Sequence, residues 1–334
     1  MPPASASTPS SGALTRSSLR RLAVSAAAAA VACGALSAAP ASAAPAAADA
    51  APKAGPYQLN FSSSLLYSLV YPDAQAQGVN DWGCVPRAGE HPVVLVHGTY
   101  ANQYNSFARM APELRWAGYC VYSFNYGTDG TDAAAQLPGV YGTTGLSDNG
   151  DELAAFADTV RARTGASKVD MVGWSQGGTI ITDVLKKHGG GGVDDVVTLA
   201  GSHHGTTLSG LGTIAEAVGA TDLTRAGLGQ AAVDQIKGSE YITALTADGD
   251  TVPGVDYTVI GTKYDEVVTP YRSTFLTAGP GATVRNITVQ DGCAIDVSDH
   301  LSMTHSPRVI DITKRALRAN GSGTLRCLPN APVL

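Results

Sequence analysis

The sequence predicts an α/β protein with a mostly parallel central sheet and helices on both faces. Three observations carry this. Strand-like and helix-like stretches alternate along the chain, the pattern of β-α-β units. The run from His91 to Val96 is almost continuously apolar, as a parallel strand buried on both faces requires. Finally, Val169-Asp170-Met171-Val172 feeds Gly173-Trp174-Ser175-Gln176-Gly177, and a helical pattern follows at once. A G-x-S-x-G turn between strand and helix exposes the serine hydroxyl at the end of a sheet.

At 334 residues and 44% hydrophobic content, the chain is long enough for one large domain with a full core. A net charge of −6 with no basic run argues against a nucleic-acid partner. Arg16, Arg20 and Arg21 precede an alanine-rich apolar stretch and Ala41-Ser42-Ala43. This reads as a secretory signal peptide over residues 1–43, and the apolar run is short for a membrane anchor. Arg20-Arg21 leaves twin-arginine export open, and Val31-Ala32-Cys33 loosely resembles a lipoprotein cleavage site. Residues 44–56, rich in Ala and Pro, read as a disordered lead-in, and residues 57–334 as the single folded domain. A secreted, extracellular monomer is expected. Outside the signal region stand Cys84, Cys120, Cys293 and Cys327. An even count in an exported chain reads as two disulfides. Near-neighbour pairing, Cys84 with Cys120 and Cys293 with Cys327, is the simplest of three connectivities. No C-x-x-C or H-E-x-x-H occurs, so no metal site is expected.

Residues 57–90 look irregular. After the 91–96 strand, Ser106 to Trp116 has helical spacing, and Cys120 to Tyr126 is the next strand. Gly127 to Asn149 is a glycine-rich loop. Asp151 to Arg163 reads as an amphipathic helix, with Asn149 and Glu152 at capping-box spacing and Gly165 at its end. The Ser175 strand and a helix through Lys187 follow, then a strand from Val193 to Leu199. Residues 207–250 hold helix-compatible pieces broken by glycines and are the candidate lid. Val255–Gly261 and Thr283–Gln290 are the last strands. Pro307 to Ala319 closes the chain as a helix, with proline at a tolerated first-turn position.

Ser175 needs a base, because a serine hydroxyl is a weak nucleophile by itself. In the α/β-hydrolase order the serine is followed by an acid and then a histidine. Of the seven histidines, only His300 and His305 come late enough. His300 is favoured, since it lies in a loop between the final strand and helix, while His305 sits beside Ser306-Pro307 at the helix start. Asp265, a few residues past the Val255–Gly261 strand, is placed to orient the imidazole. Glu266 is its neighbouring alternative, with Asp296 and Asp299 behind. The oxyanion needs amide donors: the N–H of Gln176, after the nucleophile, and that of Thr99, after the first core strand, whose hydroxyl is a third donor. His97, His203 and His204 read as loop-shaping residues, and Trp174 and the tyrosines as core or pocket lining. No cofactor is required.

At His91-Pro92-Val93-Val94-Leu95-Val96-His97-Gly98-Thr99, the Gly173 to Gly178 elbow, Ala200-Gly201-Ser202-His203-His204-Gly205-Thr206, Tyr264-Asp265-Glu266-Val267-Val268-Thr269-Pro270 and Ser298-Asp299-His300, the chain resembles the secreted class 2 lipases of actinomycetes. The elbow, the Gly-Thr segment and the Asp-Glu segment also look like those of fungal lipase B, which has proline where His97 stands. The resemblance covers most of residues 82–327. It implies an α/β-hydrolase fold with a small helical lid, Ser175, Asp265 and His300 as catalytic triad, Thr99 and Gln176 as oxyanion donors, and hydrolysis of lipid esters or small esters, with an oil–water surface as one place of action. An acyltransferase using the same acyl-enzyme, a short-chain carboxylesterase and a non-catalytic hydrolase-like binder are the competing expectations.

Overall fold

Among the described residues, six strands form one all-parallel sheet in the order β2-β1-β3-β4-β5-β6. They are β1 (Val93–Val96), β2 (Val121–Ser123), β3 (Val169–Trp174), β4 (Val193–Leu199), β5 (Asp256–Gly261) and β6 (Thr283–Thr288). The computed structural model describes residues 53–207, 221–318 and 321–333. The expected export segment, residues 44–52 of the expected lead-in and residues 208–220 of the expected lid lie outside these. Residues 53–56 are not loose: Ala54 bridges Gln75, and Tyr104 donates its hydroxyl proton to the Pro56 carbonyl at 2.7 Å.

Successive residues of a strand face opposite sides of a sheet, and the core divides accordingly. Val93 and Leu95 pack with Val172 and Trp174 against Phe61, Met110, Leu114 and Ile310. Val94 and Val96 pack with Val169 and Met171 against Leu153, Val160, Ile180 and Leu185. Helices α1 (Phe61–Val70), α3 (Met110–Trp116) and α9 (Pro307–Ala316) therefore cover one face, and α4 (Leu146–Thr164) and α5 (Gln176–His188) the other. Both faces of β1 and β3 are buried, which is why β1 runs apolar without alternation and β3 does so apart from Asp170. The expected disulfides, Cys84–Cys120 and Cys293–Cys327, both form.

Three sequence expectations are corrected. Residues 57–90 contain α1, which buries Phe61, Ser64 and Ser68 and is capped by Asn60. The buried serines bond backbone carbonyls, Ser64 to Phe61 and Ser68 to Leu65, both at 2.8 Å. Meanwhile Leu66 and Leu69 are exposed, so the buried stripe mixes Phe61 and Leu65 with serines while other leucines face solvent. The helix expected over 106–116 is instead two, α2 (Gln103–Phe107) and α3, separated at Ala108 and Arg109. The helix expected from Asp151 starts at Leu146, and Asn149 and Glu152 make no capping box. Their side chains are used elsewhere: Glu152 accepts from the Gly127 N–H at 3.2 Å and Asn149 donates to Gln176 Oε1 at 3.1 Å. Gly165 ends α4 in the left-handed conformation, φ 71°, as glycine there permits.

Between β4 and β5, the described residues hold three short helices: α6 (Thr221–Leu228), α7 (Gln230–Asp234) and α8 (Glu240–Thr246). No described helix is long and apolar enough to cross a membrane.

Candidate active site

The strand order reverses beside β1: the chain goes from β1 out to β2, then returns to β3 on the other side of β1. Ligands of open α/β sheets lie outside the carboxyl ends of the strands at such a switch point. Here Thr99 follows β1 and Ser175 follows β3, on strands paired with Val96 opposite Gly173. Ser175 adopts φ 55° and ψ −124°, a strained conformation for a residue with a Cβ, costing about 1–3 kcal/mol. The turn closes only because of two glycines. A Cβ on Gly177 would collide with the Val96 carbonyl, and one on Gly173 with the Gly177 and Gly178 backbone. The Ser175 N–H donates to the Leu199 carbonyl at 2.8 Å, tying the turn to β4.

Ser175 Oγ lies 3.0 Å from His300 Nε2. His300 Nδ1 lies 3.0 and 3.1 Å from the two oxygens of Asp265. All three residues are buried. Asp265 Oδ1 also accepts the N–H groups of Val267 and Val268 at 3.0 and 2.7 Å, which locks the carboxylate in place. The His300 carbonyl accepts from Trp174 Nε1 at 3.0 Å. Burial opposes protonation of the His300 imidazole, but the Asp265 carboxylate beside it, with Glu266 and Asp299 adding, outweighs this and holds its pKa above the ordinary histidine value. The two later alternatives for the acid point elsewhere: Asp296 accepts from Ser298 and Ser306, and Asp299 accepts from the Ser302 N–H.

His305, the alternative base, is buried against Ser64 and Thr304, with burial pushing its pKa down to about 3. His97 stacks on Tyr126 at 4.1 Å. His203 is buried between Thr182 and Thr198. His204 joins Asp250 to the Ser273 carbonyl at 2.9 and 2.7 Å. None of these four meets Ser175.

Among the described residues no acceptor takes the backbone N–H of Thr99 or of Gln176, so both remain able to donate. Between them and His300 opens a cavity of about 410 Å³, walled by Leu228, Ala232, Ile236, Val267, Val268 and Leu301. The wall is apolar, and one side of it comes from α6, α7 and the residues just after. Tyr100 spans from the Thr99 loop to the end of α6, its hydroxyl donating to the Leu228 carbonyl at 2.8 Å. Sequence reasoning missed this link and the role of Asn149, because neither lies in a local motif. Among the described residues, the acidic group suited to a cation is Asp170, Asp194 and Asp195, whose ligand atoms lie within 4.8 Å of one another. It sits at the start of β3 and β4, the end of the sheet remote from Ser175.

This sheet, its switch-point serine and the covering helices define an α/β-hydrolase fold. Residues 90–312 match the model of the class 2 lipases, and the chain belongs to that family. Over 96 residues it is 33% identical to triacylglycerol lipases of Pseudarthrobacter phenanthrenivorans and Burkholderia plantarii, 27% of this chain in both cases. The chain spans only about a quarter of the length of these relatives, 27% and 24%. Aspergillus fumigatus lipase B shares the fold, with a TM-score of 0.57 and 22% identity over 75% of this chain and 57% of that one. So does the mature form of a Bacillus licheniformis lipase, with 0.51 and 18% over 72% and 95%.

Proposed function

We propose that the chain hydrolyses carboxylic esters of lipids through an acyl-enzyme on Ser175. His300 removes the hydroxyl proton as Oγ attacks the acyl carbonyl, then delivers that proton to the departing alcohol. Water, deprotonated by the same imidazole, releases the fatty acid and restores Ser175. Asp265 holds the imidazole in the tautomer with Nδ1–H toward the carboxylate and stabilises the imidazolium in each transition state. The Thr99 and Gln176 N–H groups receive the negative charge of the tetrahedral intermediate. Each step draws only on these groups and water.

The observation that carries this reading is the unbroken hydrogen-bonded line Ser175–His300–Asp265 at 3.0 and 3.0 Å, with Ser175 and His300 lining an apolar cavity. Each methylene an acyl chain buries there adds about 0.8 kcal/mol of binding, which favours medium and long acyl chains over acetyl. Two disulfides suit an oxidising compartment, and with the N-terminal pattern they support an exported enzyme. The test is hydrolysis of acetyl, octanoyl and oleoyl esters together with emulsified triacylglycerol. Activity on the emulsion supports a lipase; activity confined to acetyl esters makes it a short-chain esterase. Predominant transfer to an added alcohol makes it an acyltransferase.

A further inference from the structure

The Thr99 hydroxyl sits between two side-chain amides. Gln176 Nε2 donates to its Oγ at 3.0 Å and Gln235 Nε2 at 2.8 Å. Which end of each amide faces Thr99 is decided by its second partner. Gln176 Nε2 also reaches the Gly142 carbonyl at 2.9 Å, and Gln235 Nε2 the Ala231 carbonyl at 3.0 Å. A carbonyl only accepts, so both atoms must be NH₂. The opposite ends agree: Gln176 Oε1 accepts from Asn149 Nδ2 at 3.1 Å and Gln235 Oε1 from the Ser202 hydroxyl at 2.9 Å.

A threonine hydroxyl has two acceptor lone pairs and one proton. With both lone pairs occupied, the proton has one direction left, and Thr99 and Ser175 line the same cavity. From this we propose that Gln235 is a positioning residue: it holds the Thr99 hydroxyl proton toward the carbonyl oxygen of the ester, making that hydroxyl a preorganised donor to the oxyanion. The proposal rests on the ester-hydrolase reading and deepens it. It also joins the lid to the chemistry, since Gln235 caps α7 and its backbone is held by Thr206, whose N–H donates to the Gln235 carbonyl at 2.8 Å. Moving α7 off the site would release the Thr99 hydroxyl to rotate.

The experiment is a double-mutant cycle on kcat and KM with a p-nitrophenyl ester, using Thr99→Val, which keeps the backbone N–H, and Gln235→Ala. Thr99→Val is expected to lower kcat about 100-fold, as loss of one oxyanion donor does. Gln235→Ala is expected to lower kcat about 5–10-fold, the scale of one neutral hydrogen bond, with KM and Tm unmoved. In the Thr99→Val background it should change kcat no further. Gln235→Glu supplies the diagnostic reversal: a carboxylate there accepts the Thr99 proton and turns it away from the ester, so kcat should fall below that of Gln235→Ala. If Gln235→Ala lowers Tm, Gln235→Met replaces it in the cycle. Equal kcat losses in both backgrounds, a loss confined to KM, or Gln235→Glu matching wild type overturns the proposal. A wild type without esterase activity, or a Ser175→Ala variant that keeps it, overturns the ester-hydrolase reading and takes this proposal with it. An active wild type, an inactive Ser175→Ala and an additive cycle overturn the Gln235 role alone.

Discussion

His300 Nδ1 stands at nearly equal distances, 3.0 and 3.1 Å, from the two carboxylate oxygens of Asp265. The carboxylate cannot swing to favour one of them, because Oδ1 is also held by the Val267 and Val268 N–H groups. Its charge therefore raises the His300 pKa above 6.5 despite full burial. In the proposed mechanism His300 acts as the base and must be neutral, so kcat/KM should rise with pH through an apparent pKa above that value. Asp265→Asn should cost about 10⁴-fold in kcat. Glu266→Gln, which removes one neighbouring negative charge, should move the acid limb to lower pH. Measured pH–rate profiles check both, and an unmoved limb in Glu266→Gln contradicts the charge assignment.

Glu113 is the hub of a buried ion network. Its carboxylate accepts from Arg326 Nη2 at 2.6 Å, Lys314 Nζ at 2.9 Å and Arg109 Nε at 3.2 Å. Burial works to raise its pKa, but the hydrogen bonds and charges of Lys314 and Arg326 win and pull it down to about 2 from 4.5. A depressed carboxylate pKa contributes stability that is complete above the unfolded value and is lost as pH falls through the folded one. Glu113→Gln should therefore destabilise the fold by about 3 kcal/mol at neutral pH. The deficit should shrink between pH 4.5 and about 2. Denaturant unfolding of both proteins across that range measures it.

The Cys293–Cys327 bridge closes a loop of sequence separation 34 that contains His300. Beyond it, Asn330 Nδ2 donates to Ser298 Oγ at 2.9 Å and to the Ser302 carbonyl at 3.0 Å. The C-terminal segment thus straps the histidine loop. Replacing both cysteines by serine should cost about 3–4 kcal/mol, read as a lowered Tm. Asn330→Ala should lower kcat more than it raises KM.

Ile236 is buried in the wall of the cavity. Ile236→Trp should fill the space a long acyl chain would occupy. The ratio of oleoyl to acetyl ester hydrolysis should fall while the acetyl rate is largely kept. An unchanged ratio would place the acyl chain elsewhere.

Much of this was legible because its signals are local. The G-x-S-x-G turn needs its glycines within a few residues, and the apolar run before it needs both faces of a sheet, so Ser175 and β3 could be read together. Chain order after the serine narrowed the base to His300 and His305, and position past the final strands favoured Asp265 and His300. What stayed hidden depends on distant partners. Gln235 meets Thr99 across 136 residues, and nothing in its own neighbourhood marks it. Helix α1 escaped because its buried face carries Ser64 and Ser68 beside Phe61 and Leu65, while Leu66 and Leu69 face outward. The start of α4 was misplaced because Asn149 and Glu152 have capping spacing but spend their side chains on Gln176 and Gly127.

The central claim is that Ser175 carries the acyl group. Rapid quenching during turnover of a p-nitrophenyl ester, followed by intact-mass and peptide mass analysis, tests it directly. The expected result is a transient gain of one acyl mass on the peptide bearing Ser175, absent in Ser175→Ala, which should also lose hydrolysis. Turnover that persists in Ser175→Ala, or an acyl adduct on another residue, would contradict it.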